Sequence, residues 1–208
     1  MNIYTFLSLG YDLLDHIWLS EKGINPRNVI QDIIPNASCR ILDMCCGTFT
    51  NGLMIAKNKP ECRVYGIDRS AAMLREAKRK IRKNDLRNVR VKCLDATDTG
   101  IKEKTFDYIV IGLVLHECSP ELRKNILEEA YRLLKDDGKL IILEWEKQTG
   151  IRKRIKYAPL YVLEALNCKS FKNFFLCDKE VYFKEHGFKM TDVVHCNYSS
   201  VMSLKKLI

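Results

Sequence analysis

Three features of this 208-residue sequence predict an α/β fold, a doubly wound parallel sheet that ends in an antiparallel hairpin. First, short apolar segments alternate with helical segments five times over roughly 100 residues, the pattern of a parallel sheet with helices on both faces. Second, residues 106–115 (FDYIVIGLVL) are almost continuously apolar, as a central strand buried on both faces must be. Third, residues 188–195 and 201–207 are two extended segments joined by a short polar turn. Hydrophobic residues make up 47% of the chain and charged residues 29%, a globular balance. No composition shift, repeat or linker divides it, so a single domain over residues 1–208 is expected.

The elements follow in order. Residues 4–19 carry Phe6, Leu9, Leu13, Leu14 and Ile17 at helical spacing, interrupted at Gly10. Asn25-Pro26 reads as an N-cap followed by proline at the first helical position, opening a helix to about residue 34. These N-terminal helices, residues 1–35, precede the first strand and are expected to cover its ligand end. Residues 41–44 form that strand, followed by a turn through Gly47 and a helix containing Leu53, Ile55 and Ala56. Residues 63–68 (RVYGID) are the second strand. Ser70 caps a helix over 71–83 with Leu74, Ala77 and Ile81 inward and a dense Lys/Arg outer face. Residues 89–94 are the third strand and 106–115 the fourth. Ser119-Pro120 opens a helix to about 134. Asp136-Asp137-Gly138 reads as a turn, and 139–145 (KLIILEW) as the fifth strand. Residues 157–176, rich in aromatics and leucine, have no clear place in a sheet, and residues 150–177 are expected to cap the substrate side. Within them 157–176 should be partly helical. A short helix over 179–186 ends at Gly187.

Parallel strands joined by right-handed crossovers present their C-terminal ends along one edge, where open α/β sheets bind ligands. That edge collects Asp43 after the first strand, Asp68 after the second, Asp95 after the third, the run Leu115-His116-Glu117 after the fourth and Glu144-Trp145-Glu146 at the fifth. A strand, a glycine turn and a helix N-terminus form a cradle whose N–H groups favour negative charge. A carboxylate in the place of Asp68 can accept from a ribose diol. Asp95 can accept from an exocyclic amine while the Ala96 N–H donates to a ring nitrogen.

The strings ILDMCCGTFTN, VYGIDRSAAMLREAKRK, CLDATD, FDYIVIGLVLHE and RLLKDDGKLIILE, spanning 40–144, resemble the ordered motifs of class I S-adenosylmethionine (AdoMet) methyltransferases. A narrower resemblance, carried by YDLLDHIWLS and LIILEWEKQ, is to the ubiquinone and menaquinone biosynthesis methyltransferases and their small-molecule relatives. The resemblance implies a mostly parallel seven-stranded sheet of order 3-2-1-4-5-7-6. It implies S-adenosyl-L-methionine as cofactor, held by Asp43, Cys45, Gly47, Asp68, Arg69, Asp95, Ala96 and Leu113. His116, and after it Glu144, are the candidate acid–base residues on an acceptor wall. Tyr4, Tyr11, Tyr157 and Phe174 are expected to line the substrate space. The first motif departs from the family's Asp-x-Gly-x-Gly-x-Gly: Cys45 and Phe49 stand at its first and third glycine positions. Phe49 must either keep an ordinary backbone conformation or accept strain, with its ring turned away from the cofactor.

The acceptor expected is a small, aromatic or lipid-like molecule. No Asn/Asp-Pro-Pro-Tyr/Phe follows the fourth strand, which argues against DNA bases. The net charge of +9 is read as a solvated basic face rather than an RNA-binding one. The alternatives are an RNA methyltransferase or a non-catalytic regulatory protein on the same fold. The N-terminus lacks a basic leader and no apolar run spans a bilayer, so a cytoplasmic location is expected. The nine cysteines show no Cys-x-x-Cys pair and are expected to be reduced, mostly buried thiols. Cys45 and Cys46, taken as strand neighbours on opposite faces, should not share an ion, and no metal site is expected.

Overall fold

Seven strands form one sheet of order β3-β2-β1-β4-β5-β7-β6. They are β1 (Arg40–Met44), β2 (Arg63–Asp68), β3 (Val89–Cys93), β4 (Phe106–Gly112), β5 (Leu134–Trp145), β6 (Phe188–His195) and β7 (Ser199–Lys206). The computed structural model describes residues 24–167 and 170–207. The helix expected over 4–19, with Tyr4 and Tyr11, lies outside them. Strands β1 to β5 pair in parallel, while β7 runs antiparallel to both β5 and β6. Fold class and strand order are those expected from the sequence.

The reason both faces are covered is visible in the alternation of side chains. Leu42, Ile109, Ile111, Leu140 and Ile142 point into one cluster, with Ile126, Leu127, Ala130 and Leu133 of α4 (Pro120–Leu133). Ile41, Val110, Ile141 and Leu143 point into the other. There they meet residues of α1 (Pro26–Ile33), α2 (Thr50–Asn58) and α3 (Ala71–Lys83). Side-chain caps set the helix starts: Asn25 Oδ1 accepts from Arg27 N (2.9 Å) and Ser119 Oγ from Leu122 N (3.2 Å).

Two sequence expectations change. Strand β4 stops at Gly112 rather than 115, because Leu113 turns into the left-handed region (φ 55°) and a 3₁₀ turn follows at Leu115–Glu117. Strand β5 starts at Leu134 instead of 139. The pairing jumps from Phe106↔Leu134 to Tyr108↔Lys139, so residues 135–138 stand opposite Asp107 alone. The expected turn at Asp136-Asp137-Gly138 is therefore a bulge inside a strand, held by Lys135 on Asp107 (2.6 Å) and Lys104 on Asp136 (2.8 Å).

After β5 come α5 (Ile151–Asn167), α6 (Phe171–Leu176) and α7 (Lys179–Glu185). The 157–176 stretch is thus helical in part. Phe171 and Phe174 are fully buried beside the 3₁₀ turn, which places this stretch on the ligand edge of the sheet. The outward residues Ile151, Ile155, Val162 and Leu166 of α5 are exposed. No helix among the described residues is long and apolar enough to cross a membrane. Of the described cysteines, Cys39, Cys62 and Cys118 are buried, Cys93 is exposed and the rest are half-buried, fewer buried thiols than expected.

Candidate functional site

The chain beyond β1 turns back three times in five residues. Cys45 (φ 58°), Gly47 (φ 52°) and Phe49 (φ 65°) all take the left-handed conformation. A bulky residue there costs about 1–2 kcal/mol. For Phe49 the cost is offset by its ring, which is fully buried below the turn, a gain of about 1.5–3 kcal/mol. The ring fits because Gly52 and Gly66 lie against it: a Cβ on either would stand 2.0 or 2.7 Å from Phe49 ring carbons. Of the two outcomes expected for Phe49, the structure takes the strained one, with the ring directed away from the cavity. No atom of the described residues lies within 4 Å of where a Cβ on Gly47 would be, so the turn presents bare backbone to the cavity.

Hydrogen bonds clamp this corner to its neighbours. Cys46 N donates to Ile67 O (2.9 Å) and Gly47 N to Asp68 Oδ2 (2.8 Å), while Asp68 Oδ1 accepts from Ser70 N (2.8 Å). Asp43 is buried beneath, its Oδ2 accepting from Gly52 N (2.9 Å). Burial pushes the Asp43 carboxyl up to about 7, against the Gly52 bond and with help from the Asp68 charge. Arg27 Nε donates to Asn51 Oδ1 (3.1 Å), tying α1 to the first turn of α2. The Asn51 amide in turn occupies the space above Gly112, where a Cβ would meet Nδ2 at 2.7 Å. Asp95 Oδ1 accepts from both the N–H and the hydroxyl of Thr97 (2.8 and 2.7 Å), bonds that hold its carboxyl below the usual range.

Together these ends enclose a cavity of about 390 Å³, within the usual range for small-molecule sites. Cys45, Gly47, Asp68, Arg69, Asp95, Ala96 and Leu113 all border it. Asp43 does not; it lies one layer below and holds the helix that does. Cys46 also borders it, because β1 has ended at Met44 and the two cysteines follow a turn rather than a strand, a correction to their expected placement on opposite faces. Arg27, Asn51, Met73 and Glu117 border the cavity too and were not singled out from the sequence. Glu117 was within reach of sequence reasoning as the neighbour of His116 after the fourth strand. Arg27 and Asn51 carry no local signal, since their mutual bond depends on how two helices pack.

The other predicted residues gather at the β4–β5 end. His116 and Glu144 are both 2% exposed, with Nδ1 of the imidazole 2.6 Å from Glu144 Oε2. Glu144 Oε1 accepts from Leu115 N (2.9 Å) and His116 N (3.3 Å), so this carboxylate fixes both the turn and the ring. Nε2 lies 3.5 Å from Glu164 Oε2 on α5 and 4.0 Å from Glu117 Oε1. Burial pulls the imidazole pKa down, but the Glu144 carboxylate and then Glu164 outweigh it and raise His116 to about 10. The neighbouring carboxylates thus favour the protonated form of the ring.

Phe174 and Tyr157 depart from their expected substrate-lining places. Phe174 is enclosed in the core with the buried Arg123 guanidinium 4.0 Å over its ring, and Arg123 is held there by donating to Leu115 O and Cys118 O. Tyr157 is buried between Trp145, Phe175 and Tyr198. Burial first, then Glu164 and Glu144, push its phenol pKa upward. The Tyr157 hydroxyl, Trp145 Nε1, Ser199 Oγ and His116 Nε2 are buried without a hydrogen-bond partner among the described residues. Orphaned polar atoms in a core are costly unless something meets them.

Comparison with known proteins agrees with this arrangement. Residues 41–138 match the family model described as a methyltransferase domain. The chain is 34% identical over 119 residues to a demethylmenaquinone methyltransferase of Geobacillus sp., covering 57% of this chain and 50% of that protein. It is also 34% identical over 144 residues to the one of Listeria welshimeri, covering 68% and 60%. The chain thus spans half to three-fifths of the length of these curated relatives. A crystal structure of a SAM-dependent methyltransferase from Aquifex aeolicus superposes with a TM-score of 0.71 at 20% identity, over 96% of this chain and 97% of that one. At that identity the likeness is one of fold.

Proposed function

Because the chain belongs to the class I AdoMet-dependent methyltransferase family, we propose that it transfers a methyl group from AdoMet to a small, ring-bearing, lipid-like acceptor. The observation that carries this reading is the clamp of Gly47 N on Asp68 Oδ2 at the rim of a cavity that Asp95 also borders. Each carboxylate oxygen of Asp68 accepts one backbone bond, and each retains a lone pair for a ribose hydroxyl. Asp95 uses Oδ1 for Thr97, leaving Oδ2 for an exocyclic amine, with the Ala96 N–H beside it. Bare backbone at Gly47, with Cys45 and Leu113, would hold the methionine part, and Arg69 would border the adenosine. Asp43 supports the site from below. When bound, AdoMet supplies an electrophilic sulfonium methyl.

What the chain adds is alignment of the acceptor and exclusion of water. We assign residues 150–177 the role of a substrate-side cap, with residues 1–35 closing the same edge. The apolar cluster of Trp145, Tyr157, Leu160, Phe171, Phe175 and Tyr198 packs behind His116 and keeps this side of the site apolar, which suits an aromatic acceptor with an apolar tail. Two relatives named as demethylmenaquinone methyltransferases support a quinone-type ring as the acceptor class. His116, oriented by Glu144, suits an acceptor that develops negative charge on oxygen. The basic outer face of α3 is read as solvated, and nucleic acid is not proposed as a partner; the proposed location is the cytoplasm.

Calorimetry with AdoMet and its demethylated product tests the reading directly. Binding of both is expected. Asp68→Ala should weaken AdoMet by about 1.5–3 kcal/mol, the worth of a charge-assisted hydrogen bond. Equal affinity in that variant would remove Asp68 from the site, and no binding to wild type would remove the function.

A further inference from the structure

The acidic groups around His116 meet its two ring nitrogens separately, Glu144 at Nδ1 and Glu117 with Glu164 at Nε2. Glu144 is fully used: Oε1 takes two backbone N–H groups and Oε2 takes Nδ1. The other ring nitrogen is the atom left over. Nε2 is buried, has no hydrogen-bond partner among the described residues, and faces Glu164 at 3.5 Å and Glu117 at 4.0 Å. Nε2 and one oxygen from each of these carboxylates all lie within 4.8 Å of one another.

We propose that His116 Nε2, Glu117 and Glu164 bind a divalent cation of borderline hardness, Mn²⁺ or Zn²⁺. The donor set of one imidazole and two carboxylates suits such ions better than the all-oxygen shells of Mg²⁺ or Ca²⁺. The ion displaces the Nε2 proton as it binds, and two carboxylates with the imidazole so left neutral balance its two charges. The spacing is close to what coordination needs. At bond lengths of about 2.1 Å, neighbouring ligand atoms stand about 3.0–3.4 Å apart, so small rotations of Glu117 and Glu164 complete the shell. Glu144 then has the outer-shell role that ligating histidines require, accepting from Nδ1–H and fixing the ring so that Nε2 meets the ion.

Three protein ligands leave coordination positions open. Glu117 borders the cavity, which puts the open side at the acceptor wall. On the methyl-transfer reading, the ion would hold an acceptor oxygen as its anion after the hydroxyl proton leaves to solvent. The acceptor class this favours is a hydroxylated aromatic ring. That role rests on the proposed function; the ion site itself does not.

The test uses the full-length chain freed of metal with a chelator. Co²⁺ is titrated and followed by visible absorption, and Mn²⁺ by electron paramagnetic resonance. Saturable binding of a single ion per chain is expected, without the intense charge-transfer bands of thiolate ligation. Glu117→Gln and Glu164→Gln should each weaken it at least tenfold. Because the Glu117 side chain is partly exposed, its variant tests the site without endangering the fold, and circular dichroism checks both. Cys93→Ser should leave binding unchanged. Absence of saturable binding, thiolate bands, or unaltered affinity in both glutamine variants would overturn the proposal. AdoMet calorimetry on the same metal-free protein separates the two readings. Failure to bind AdoMet with the ion site intact removes the proposed function alone, and loss of the ion site with AdoMet binding intact removes this proposal alone.

Discussion

The two halves of the ligand edge are built differently. At the β1–β3 end the cavity wall is mostly backbone and short side chains, held by bonds between residues that each follow a strand. Gly47 N on Asp68 and Ser70 N on Asp68 are examples. At the β4–β5 end Leu113, Val114, Glu117 and Cys118 form the wall, and behind it charged side chains meet from three separate elements with aromatic rings packed against them. A backbone cradle holds a fixed chemical group and tolerates change in what surrounds it, which is how Cys45 and Phe49 can replace glycines. A side-chain cluster can be re-specified one residue at a time, as suits the half of the site that meets a variable acceptor.

The largest expected effect separates stability from binding. Phe174→Ala removes a fully buried ring and the platform under Arg123, so it should destabilise the chain by about 3–5 kcal/mol in urea unfolding. AdoMet affinity of the remaining folded protein should not change. A loss of cofactor affinity with normal stability would mean that the two halves are not independent.

On the cradle side, Gly66→Ala places a methyl 2.7 Å from the Phe49 ring. The fully buried ring must shift to admit the methyl, and this overpacking should cost about 1–3 kcal/mol in stability. Here AdoMet binding should weaken as well, because the displaced ring carries the turn at Gly47. Calorimetry that finds full affinity in a destabilised Gly66→Ala would show that the cradle does not depend on Phe49.

A pH titration probes the buried carboxylate under the cradle. The folded pKa of Asp43, about 7, lies above its ordinary 3.8, so the folded state holds the proton more tightly than the unfolded one. This contribution is full below pH 3.8 and is lost as pH rises through 7. Urea midpoints should fall across that window, and Asp43→Asn should flatten the fall. An unchanged slope in the variant would assign it to other groups.

The smallest effect is expected from the basic face of α3. Arg79 is exposed and paired with Glu76. Charge reversal at Arg79 and Lys83 should leave AdoMet binding and RNA retardation unaltered, with no gel shift at physiological salt. A salt-dependent shift abolished by the reversals would bring back the RNA alternative.

Much of the architecture could be read along the chain because it rests on local rules. Apolar runs and helical spacing marked the strands and helices, and side-chain caps marked Asn25, Ser70 and Ser119. Parallel strands with right-handed crossovers placed Asp43, Asp68 and Asp95 on one edge, since that rule depends only on element order. Tertiary structure decided the rest. Phe49 took the left-handed conformation because Gly52 and Gly66 left room for its ring, which no local pattern announces. The residues 135–138 became a bulge rather than a turn because Asp107 and Lys104 hold them from neighbouring elements. Phe174 went to the core, although its aromatic neighbourhood looked like a lid, because Arg123 needed a face to lie on. Glu164 met His116 only through the packing of α5 against the sheet edge. Contacts between residues far apart in sequence leave no periodic trace. The cofactor half was therefore legible from sequence, while the acceptor half required the fold.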